Sequence, residues 1–70
     1  MSWIVTRRKG RDFQQYVDED IYGNGHWVSN EDAKLTDLPV LYTYRDHAMA
    51  RMRAEKEMDP EWQYEVEYYE

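Results

Sequence analysis

The C-terminal segment, residues 62–68, constrains the fold more than any other part of the chain, because its side chains alternate strictly in character. One set is aromatic or aliphatic and the other is polar or acidic: Trp62, Tyr64, Val66 and Tyr68 against Gln63, Glu65 and Glu67. Successive side chains of a β-strand point to opposite faces of a sheet. A period of two therefore predicts a strand with one buried and one solvated face.

Two N-terminal segments, residues 2–8 and 11–17, predict a β-hairpin. Their side chains also alternate between two faces. In the first segment Trp3 and Val5 lie on one face and Ile4 and Thr6 on the other. In the second segment Phe13, Gln15 and Val17 lie on one face and Gln14 and Tyr16 on the other. The Lys9-Gly10 pair between the segments is a turn signal. We therefore expect two adjacent strands whose connecting tip is basic.

Residues 44–58 predict the main helix. Their interior is rich in Ala and Met, Thr43 can serve as the N-cap with Asp46 three residues later, and Asp59-Pro60 ends the helix. Shorter features lie before it. Residues 26–28 predict a short third strand, residues 30–34 a turn of helix after a capping-box pattern, and residues 40–43 an edge strand.

Two charged residues interrupt the apolar face of the predicted helix. Arg51 and Glu55 lie four residues apart within the arc that also contains most of the Ala and Met side chains. A buried ion pair and a contact with a second copy of the chain would both produce this pattern. The sequence leaves these two interpretations open.

The order of these elements, strand, strand, short strand, helix, strand, predicts a single small α+β domain over residues 1–70. We expect an antiparallel sheet of three to four strands with one helix packed on the face that carries Trp62, Tyr64 and Val66. Charge supports a particular pairing, because residues 1–11 contain four bases and no acid, whereas residues 59–70 contain five acids and no base. Opposite charges favour placing the first and last strands side by side.

Composition narrows the possible functions. The chain has 70 residues and no cysteine, which excludes disulfide frameworks, thiolate metal sites and cysteine nucleophiles. So short a chain has little room for a core and a deep substrate pocket, so we expect a protein that is not an enzyme. The longest apolar run, residues 3–5, is far too short to span a bilayer, and no export signal is evident, which favours the cytoplasm.

Low mean hydropathy, −1.09, is offset by an aromatic content of 16%. Disordered chains are poor in aromatic residues, so we interpret the chain as folded.

Two patterns that could hold a metal are incomplete. Residues 18–23 begin with three acids and end with Gly, as a calcium loop does, but Tyr22 stands at the fifth position and Ser29 where the closing Glu belongs. His26 and His47 lack the spacing of a zinc motif. We therefore expect a solvated acidic loop and surface histidines, with no metal and no cofactor.

Three surfaces are candidates for binding. The hairpin tip, with Arg7, Arg8, Lys9 and Arg11, could bind nucleic acid, although the net charge of −6 opposes it. The acidic C-terminal strand, including Glu65 and Glu67, could imitate a polyanion and occupy a basic groove. Tyr68 and Tyr69 belong to a set of aromatic residues larger than one small sheet face can hide, which favours contact with another protein or with a second copy.

Several stretches resemble a loose pattern in small uncharacterised proteins of phages and other mobile elements. They are residues 25–29 (Gly-His-Trp-Val-Ser), 32–34 (Asp-Ala-Lys) and 42–48 (Tyr-Thr-Tyr-Arg-Asp-His-Ala). The resemblance implies the same small α+β fold and an accessory protein that binds a host or phage component.

Together these observations predict a protein–protein interaction module without enzymatic activity and without affinity for membranes. An acidic inhibitor of a nucleic-acid-handling protein and a nucleic-acid-binding protein that uses the basic hairpin tip are the alternatives.

Overall fold

The computed structural model describes residues 1–17, 19–29 and 39–69. In these residues the chain forms five elements, which are β1 (Ser2–Lys9), β2 (Asp12–Val17), β3 (His26–Ser29), α1 (Arg45–Met58) and β4 (Gln63–Tyr69). The strands make one antiparallel sheet in the order β3-β2-β1-β4, and α1 packs on one of its faces. The predicted α+β fold is confirmed. The turn of helix predicted at residues 30–34 lies outside the described residues.

β1 and β2 form the predicted hairpin. Lys9 pairs with Asp12, which leaves Gly10 and Arg11 as the turn between the strands. Gly10 has a φ of 61°. Two-residue hairpin turns require positive φ because their twist must match that of the strands, and glycine adopts this conformation without steric cost.

β4 lies against β1, as the opposite charges of the two ends predicted. The pairing runs from Ser2 opposite Tyr69 to Arg8 opposite Gln63. Charges of opposite sign meet beyond the end of this pairing, because Lys9 Nζ lies 2.7 Å from a carboxylate oxygen of Glu61. The first and last strands therefore form the middle and one edge of the sheet.

α1 covers the sheet face on which the apolar side of β4 lies. Directly paired residues share a face, so Val5 lies beside Val66. Val5, Tyr16 and Ala48 form the buried core, with exposures of 0%, 2% and 0%. Half-buried side chains surround them, among which are Trp3, Trp27, Tyr42, Met52 and Val66. The rings of Trp3, Trp27 and Tyr42 are among the groups packed around this core, as expected where few residues must exclude water.

The opposite face of the sheet is also partly covered. Ile4, Thr6 and Val17 are buried there, with exposures of 5%, 1% and 2%. At the β4 side of this face Glu65 is exposed and Glu67 is half-buried. The strongly polar character that the alternation of β4 predicted for this face therefore holds at the edge of the sheet and not at its centre.

Residues 39–42 form two isolated bridges rather than the expected edge strand. Trp3 and Tyr42 exchange two backbone hydrogen bonds of 2.8 and 2.9 Å, and the Val40 N–H donates to the Tyr16 carbonyl at 3.1 Å. Pro39 bridges Val17. The segment thus contacts β1 on one side and β2 on the other, between the start of β1 and the end of β2.

The helix begins one residue later than predicted. Tyr44 occupies the N-cap position with extended backbone angles and no side-chain capping hydrogen bond, so the prediction that Thr43 caps the helix was wrong. The end agrees with the sequence, because the Asp59 N–H donates to the Glu55 carbonyl at 3.0 Å just before Pro60. Packing of Ala48 against the sheet, rather than a strong cap, positions the first turn.

Replacing Gly25 with Ala should destabilise the fold by about 1–3 kcal/mol, because a side chain there would overlap the core. A Cβ atom at Gly25 would lie 2.6 Å from Tyr16 Cζ and 2.8 Å from the Val17 carbonyl oxygen. Urea unfolding measures the change. Gly10→Ala is the control, because a Cβ there meets nothing within 4 Å and adds only the strain of positive φ. A smaller loss for Gly25→Ala than for Gly10→Ala would contradict the predicted overlap.

Candidate functional site

Arg7, one of the four basic residues of the hairpin tip, is packed into the structure. Its guanidinium lies over the rings of Trp27 and Trp62, with centroid distances of 4.3 and 4.1 Å. Its Nε donates a 2.7 Å hydrogen bond to Gln14, and Nη1 lies 3.8 Å from an Asp59 carboxylate oxygen. With the side chain only 13% exposed, Arg7 holds three parts of the chain together and offers little surface to a phosphate.

The other three basic residues do not form one cluster. Lys9 is bound to Glu61, and their hydrogen bond raises the pKa of Lys9 and lowers that of Glu61. Arg8 is exposed on the face opposite Arg7, because neighbouring residues of a strand point in opposite directions. Arg11 is exposed in the turn. The basic tip predicted from the sequence is therefore divided between two faces and partly neutralised.

Replacing Arg7 with Ala should lower the free energy of unfolding by about 2–3 kcal/mol, since it removes two cation–π contacts and a charge-assisted hydrogen bond. Arg8→Ala removes the same charge from an exposed site and should change stability by no more than about 0.5 kcal/mol. Urea unfolding of both variants provides the comparison. Equal effects would show that Arg7 does not hold the structure in the way its contacts indicate.

Arg51 and Glu55 form an ion pair within the chain, which resolves the ambiguity left by the sequence. Arg51 Nη1 lies 3.6 Å from Glu55 and Nη2 lies 3.1 Å from Glu19. Tyr42 donates a 2.5 Å hydrogen bond to the other carboxylate oxygen of Glu19. Arg51 also lies over the Tyr16 ring, 5.3 Å from its centroid. These contacts tie the loop after β2 to the helix.

An open depression of about 370 Å³ lies above this network. It is lined by Glu19, Tyr42, His47, Ala50, Arg51 and Ala54. The charged groups on its floor already bind one another, since Glu19 contacts both Arg51 and Tyr42. The depression is therefore an open surface on which Glu19, Tyr42 and Arg51 already bind one another.

The acidic loop that resembled a calcium site uses its described acids in other ways. Asp20 accepts hydrogen bonds from the backbone N–H groups of Asn24 and Tyr22, which lower its pKa and close the turn. Glu19 binds Arg51 and Tyr42, as described above, and Asp18 lies outside the described residues. The part of the chain that the structure describes gathers no three His, Asp or Glu residues in a metal-binding arrangement.

Stability should fall as the pH rises above about 10, because Tyr42 holds its proton more tightly in the folded state. Burial and the hydrogen bond to Glu19 raise the pKa of Tyr42, and burial also raises the pKa of Tyr16 and of Tyr64. A group with a raised folded pKa stabilises the fold below its unfolded pKa and loses this contribution at higher pH.

Tyr42→Phe removes the hydrogen bond to Glu19 and should be less stable than the wild type at pH 7. Because phenylalanine has no proton to lose, this variant should also lose stability less steeply between pH 10 and 12. Tyr22→Phe, at a site that is 81% exposed, should leave both values unchanged. Urea unfolding across this pH range measures the slopes. Identical slopes in wild type and Tyr42→Phe would refute the assignment.

The outer side of β4 presents peptide groups that no described strand pairs with. β4 is the last strand of the sheet and pairs with β1. Trp3 directs both of its backbone hydrogen bonds to Tyr42, on the side of β1 away from β4. Bonding direction alternates along a strand, so Tyr68, which lies opposite Trp3, directs its N–H and C=O outward. Val66 and Tyr64 do the same, and we call these three outward peptide groups the β4 edge.

The four acidic and aromatic residues predicted to bind a partner all flank the β4 edge. Glu65, Glu67 and Tyr69 share the sheet face away from α1, whereas Tyr68 lies on the α1 face with its ring 5.4 Å from that of Trp3. Tyr68 and Tyr69 are 48% and 39% exposed. The structure thus brings Glu65, Glu67, Tyr68 and Tyr69 to one edge of the sheet, apart from the hairpin tip.

Sequence reasoning missed two features of these surfaces. It treated Arg7 as a phosphate contact because Trp27 is distant in sequence and no local pattern places its ring on the guanidinium. Glu65 and Glu67 were predicted from the sequence as binding residues, but the outward peptide groups beside them were not. The side to which a peptide group points depends on which strand lies next to it in the sheet, and the sequence does not show this. The charged residues of β4 were the signal that could have indicated an edge, because charged side chains are common on edge strands.

No protein-family model, curated protein sequence or solved structure matches the chain. The resemblance to phage accessory proteins therefore stays a prediction. Among the described residues, no helix has the length and apolar character needed to traverse a bilayer.

Proposed function

We propose that the protein is a non-enzymatic protein-binding module that takes up an extended segment of a partner protein along the β4 edge. The observation that supports this most strongly is the position of β4, a strand of seven residues at the end of the described sheet order. Its outward N–H and C=O groups can hydrogen-bond an added strand as β1 does on the other side. Strand addition to an exposed sheet edge is a common way of recognising peptides.

The side chains beside the β4 edge are suited to contact with an added strand. Tyr68 and Tyr69 are exposed rings on opposite faces of the sheet, so an added strand would meet an aromatic side chain on each face. Tyrosine is enriched at protein interfaces because it buries a large area while its hydroxyl keeps a hydrogen bond. Main-chain hydrogen bonds would supply affinity, and these side chains would supply selectivity.

We favour this function over nucleic-acid binding by the hairpin tip. Arg7 is covered by Trp27 and Trp62, and Lys9 is bound to Glu61, so two of the four basic residues are engaged within the chain. A surface that binds a phosphate backbone needs several cations directed to the same side. The partner would be a host or phage protein, as the resemblance implies, and the lack of cysteine supports a reducing compartment such as the cytoplasm.

Tyr68→Pro should abolish partner binding, because it removes an outward N–H that no described residue accepts, while proline is tolerated on the solvent side of an edge strand. Tyr68→Ala keeps the N–H and should retain part of the binding. The tagged wild type and both variants are compared by capture from lysate at high salt with nuclease. The fold of each is checked by circular dichroism and thermal unfolding.

Hydrogen exchange supplies the second readout. In the free protein the amides of Tyr64, Val66 and Tyr68 should exchange quickly and those of Glu65 and Glu67 slowly, and the partner should slow the first set. A captured protein that remains bound to folded Tyr68→Pro with full affinity would overturn strand addition at β4. A protein recovered only in the presence of nucleic acid would instead support the hairpin tip.

A further inference from the structure

We propose that the β4 edge selects a partner strand with Lys or Arg at alternate positions and a β-branched or aromatic residue between them, and that it rejects a second copy of this chain. The inference rests on the proposed function, strand addition at β4, and specifies the chemistry of the strand that is added.

The direction of the peptide groups determines where an added strand comes closest. If the new strand is antiparallel to β4, Tyr64, Val66 and Tyr68 form hydrogen-bonded pairs with it, so Glu65 and Glu67 fall in the non-hydrogen-bonded pairs between them. Cα atoms in such pairs are only about 4.5 Å apart, and the side chains are closer than in the alternate pairs. Any residue opposite Glu65 or Glu67 would therefore contact a carboxylate directly.

The residues directly opposite the two carboxylates on β1 carry no charge, and the nearest cation of that strand on this face, Arg8, lies diagonal to Glu65 and opposite Gln63. The partners of the carboxylates on β1 are Thr6 for Glu65 and Ile4 for Glu67, both neutral. Glu65 is exposed and Glu67 is half-buried. A cation on the added strand would therefore meet two adjacent negative charges on one face of the sheet, where opposite charges across a strand pair are stabilising.

The same geometry disfavours pairing between two copies of β4. An antiparallel pair centred on Val66 would place Glu65 opposite Glu67 twice. Moving the centre by one residue either way places Glu65 opposite Glu65 or Glu67 opposite Glu67, and a parallel pair in register does both. Like charges directly opposite one another are destabilising, and charged residues on edge strands are a common means of preventing edge-to-edge association.

The other face specifies the residue between the two cations. It would lie opposite Val66, on the face where Tyr64 and Tyr68 flank that residue. Pairs of aromatic and β-branched side chains across neighbouring strands are favourable. The recognised segment therefore has the pattern basic, β-branched or aromatic, basic.

Two synthetic peptides test this selectivity, Thr-Val-Lys-Val-Lys-Val-Thr and Thr-Val-Glu-Val-Glu-Val-Thr, both with blocked ends. Each is titrated into the isotopically labelled wild-type protein and followed by nuclear magnetic resonance. The Lys peptide should shift and protect the amides of Tyr64, Val66 and Tyr68 and bind about threefold to thirtyfold more tightly than the Glu peptide. In the double variant Glu65→Lys, Glu67→Lys the preference should reverse. Analytical ultracentrifugation of the wild type should show a monomer.

The outcomes separate this inference from the proposed function. Equal binding of both peptides at the β4 amides would overturn the charge selection while supporting strand addition. Failure of both peptides to affect these amides would count against strand addition itself. The inference would also be overturned if the Lys peptide shifted other residues and kept its affinity for the double variant. A wild-type dimer with protected β4 amides would overturn it as well.

Discussion

The fold depends on β1 being hydrogen-bonded along both of its sides. β4 pairs with residues 2–8 of β1 on one side, while β2 and then Tyr42 pair with successive parts of the other side. β1 is an inner strand of the sheet, and its Val5 is fully buried beneath α1. Every described strand except β3 contacts β1, so this strand joins β4 to the β2–β3 side of the sheet.

Two charged side chains, Arg7 and Arg51, contribute to packing within this framework rather than to an accessible charged surface. Arg7 contacts both Trp27 and Trp62 and so connects β3 to the segment before β4. Arg51 on α1 binds Glu19 in the loop after β2 and Glu55 one turn further along the helix. Both guanidiniums also lie over aromatic rings, where a planar cation is desolvated at lower cost than an ammonium ion. A small core with few aliphatic residues is in this way extended by half-buried cation–aromatic contacts at its two sides.

The edge of the sheet shows the opposite use of charge. Glu65 and Glu67 flank outward peptide groups that would otherwise be a general template for strand pairing. Under the function we propose, carboxylates at these positions would repel copies of the same strand and leave the peptide groups accessible to a strand of complementary charge. Protection against self-association and selectivity for a partner can therefore arise from the same two residues, which unites the acidic character of the C-terminal segment with the interaction surface we propose.

The sequence by itself determined the local elements and the general architecture. Periodicities of two in β1, β2 and β4, the Lys9-Gly10 turn and the stop at Asp59-Pro60 depend on neighbouring residues, so each was predictable to within about two residues. The pairing of the first and last strands was also expected from their opposite charges, although no opposite charges lie directly across from one another in the register of β1 and β4. Only the tertiary structure decided the role of each charge. Arg7 and Arg8 are adjacent and chemically identical, yet one lies between two tryptophans and the other in solvent, because a strand directs consecutive side chains to opposite faces and the fold covers those faces differently.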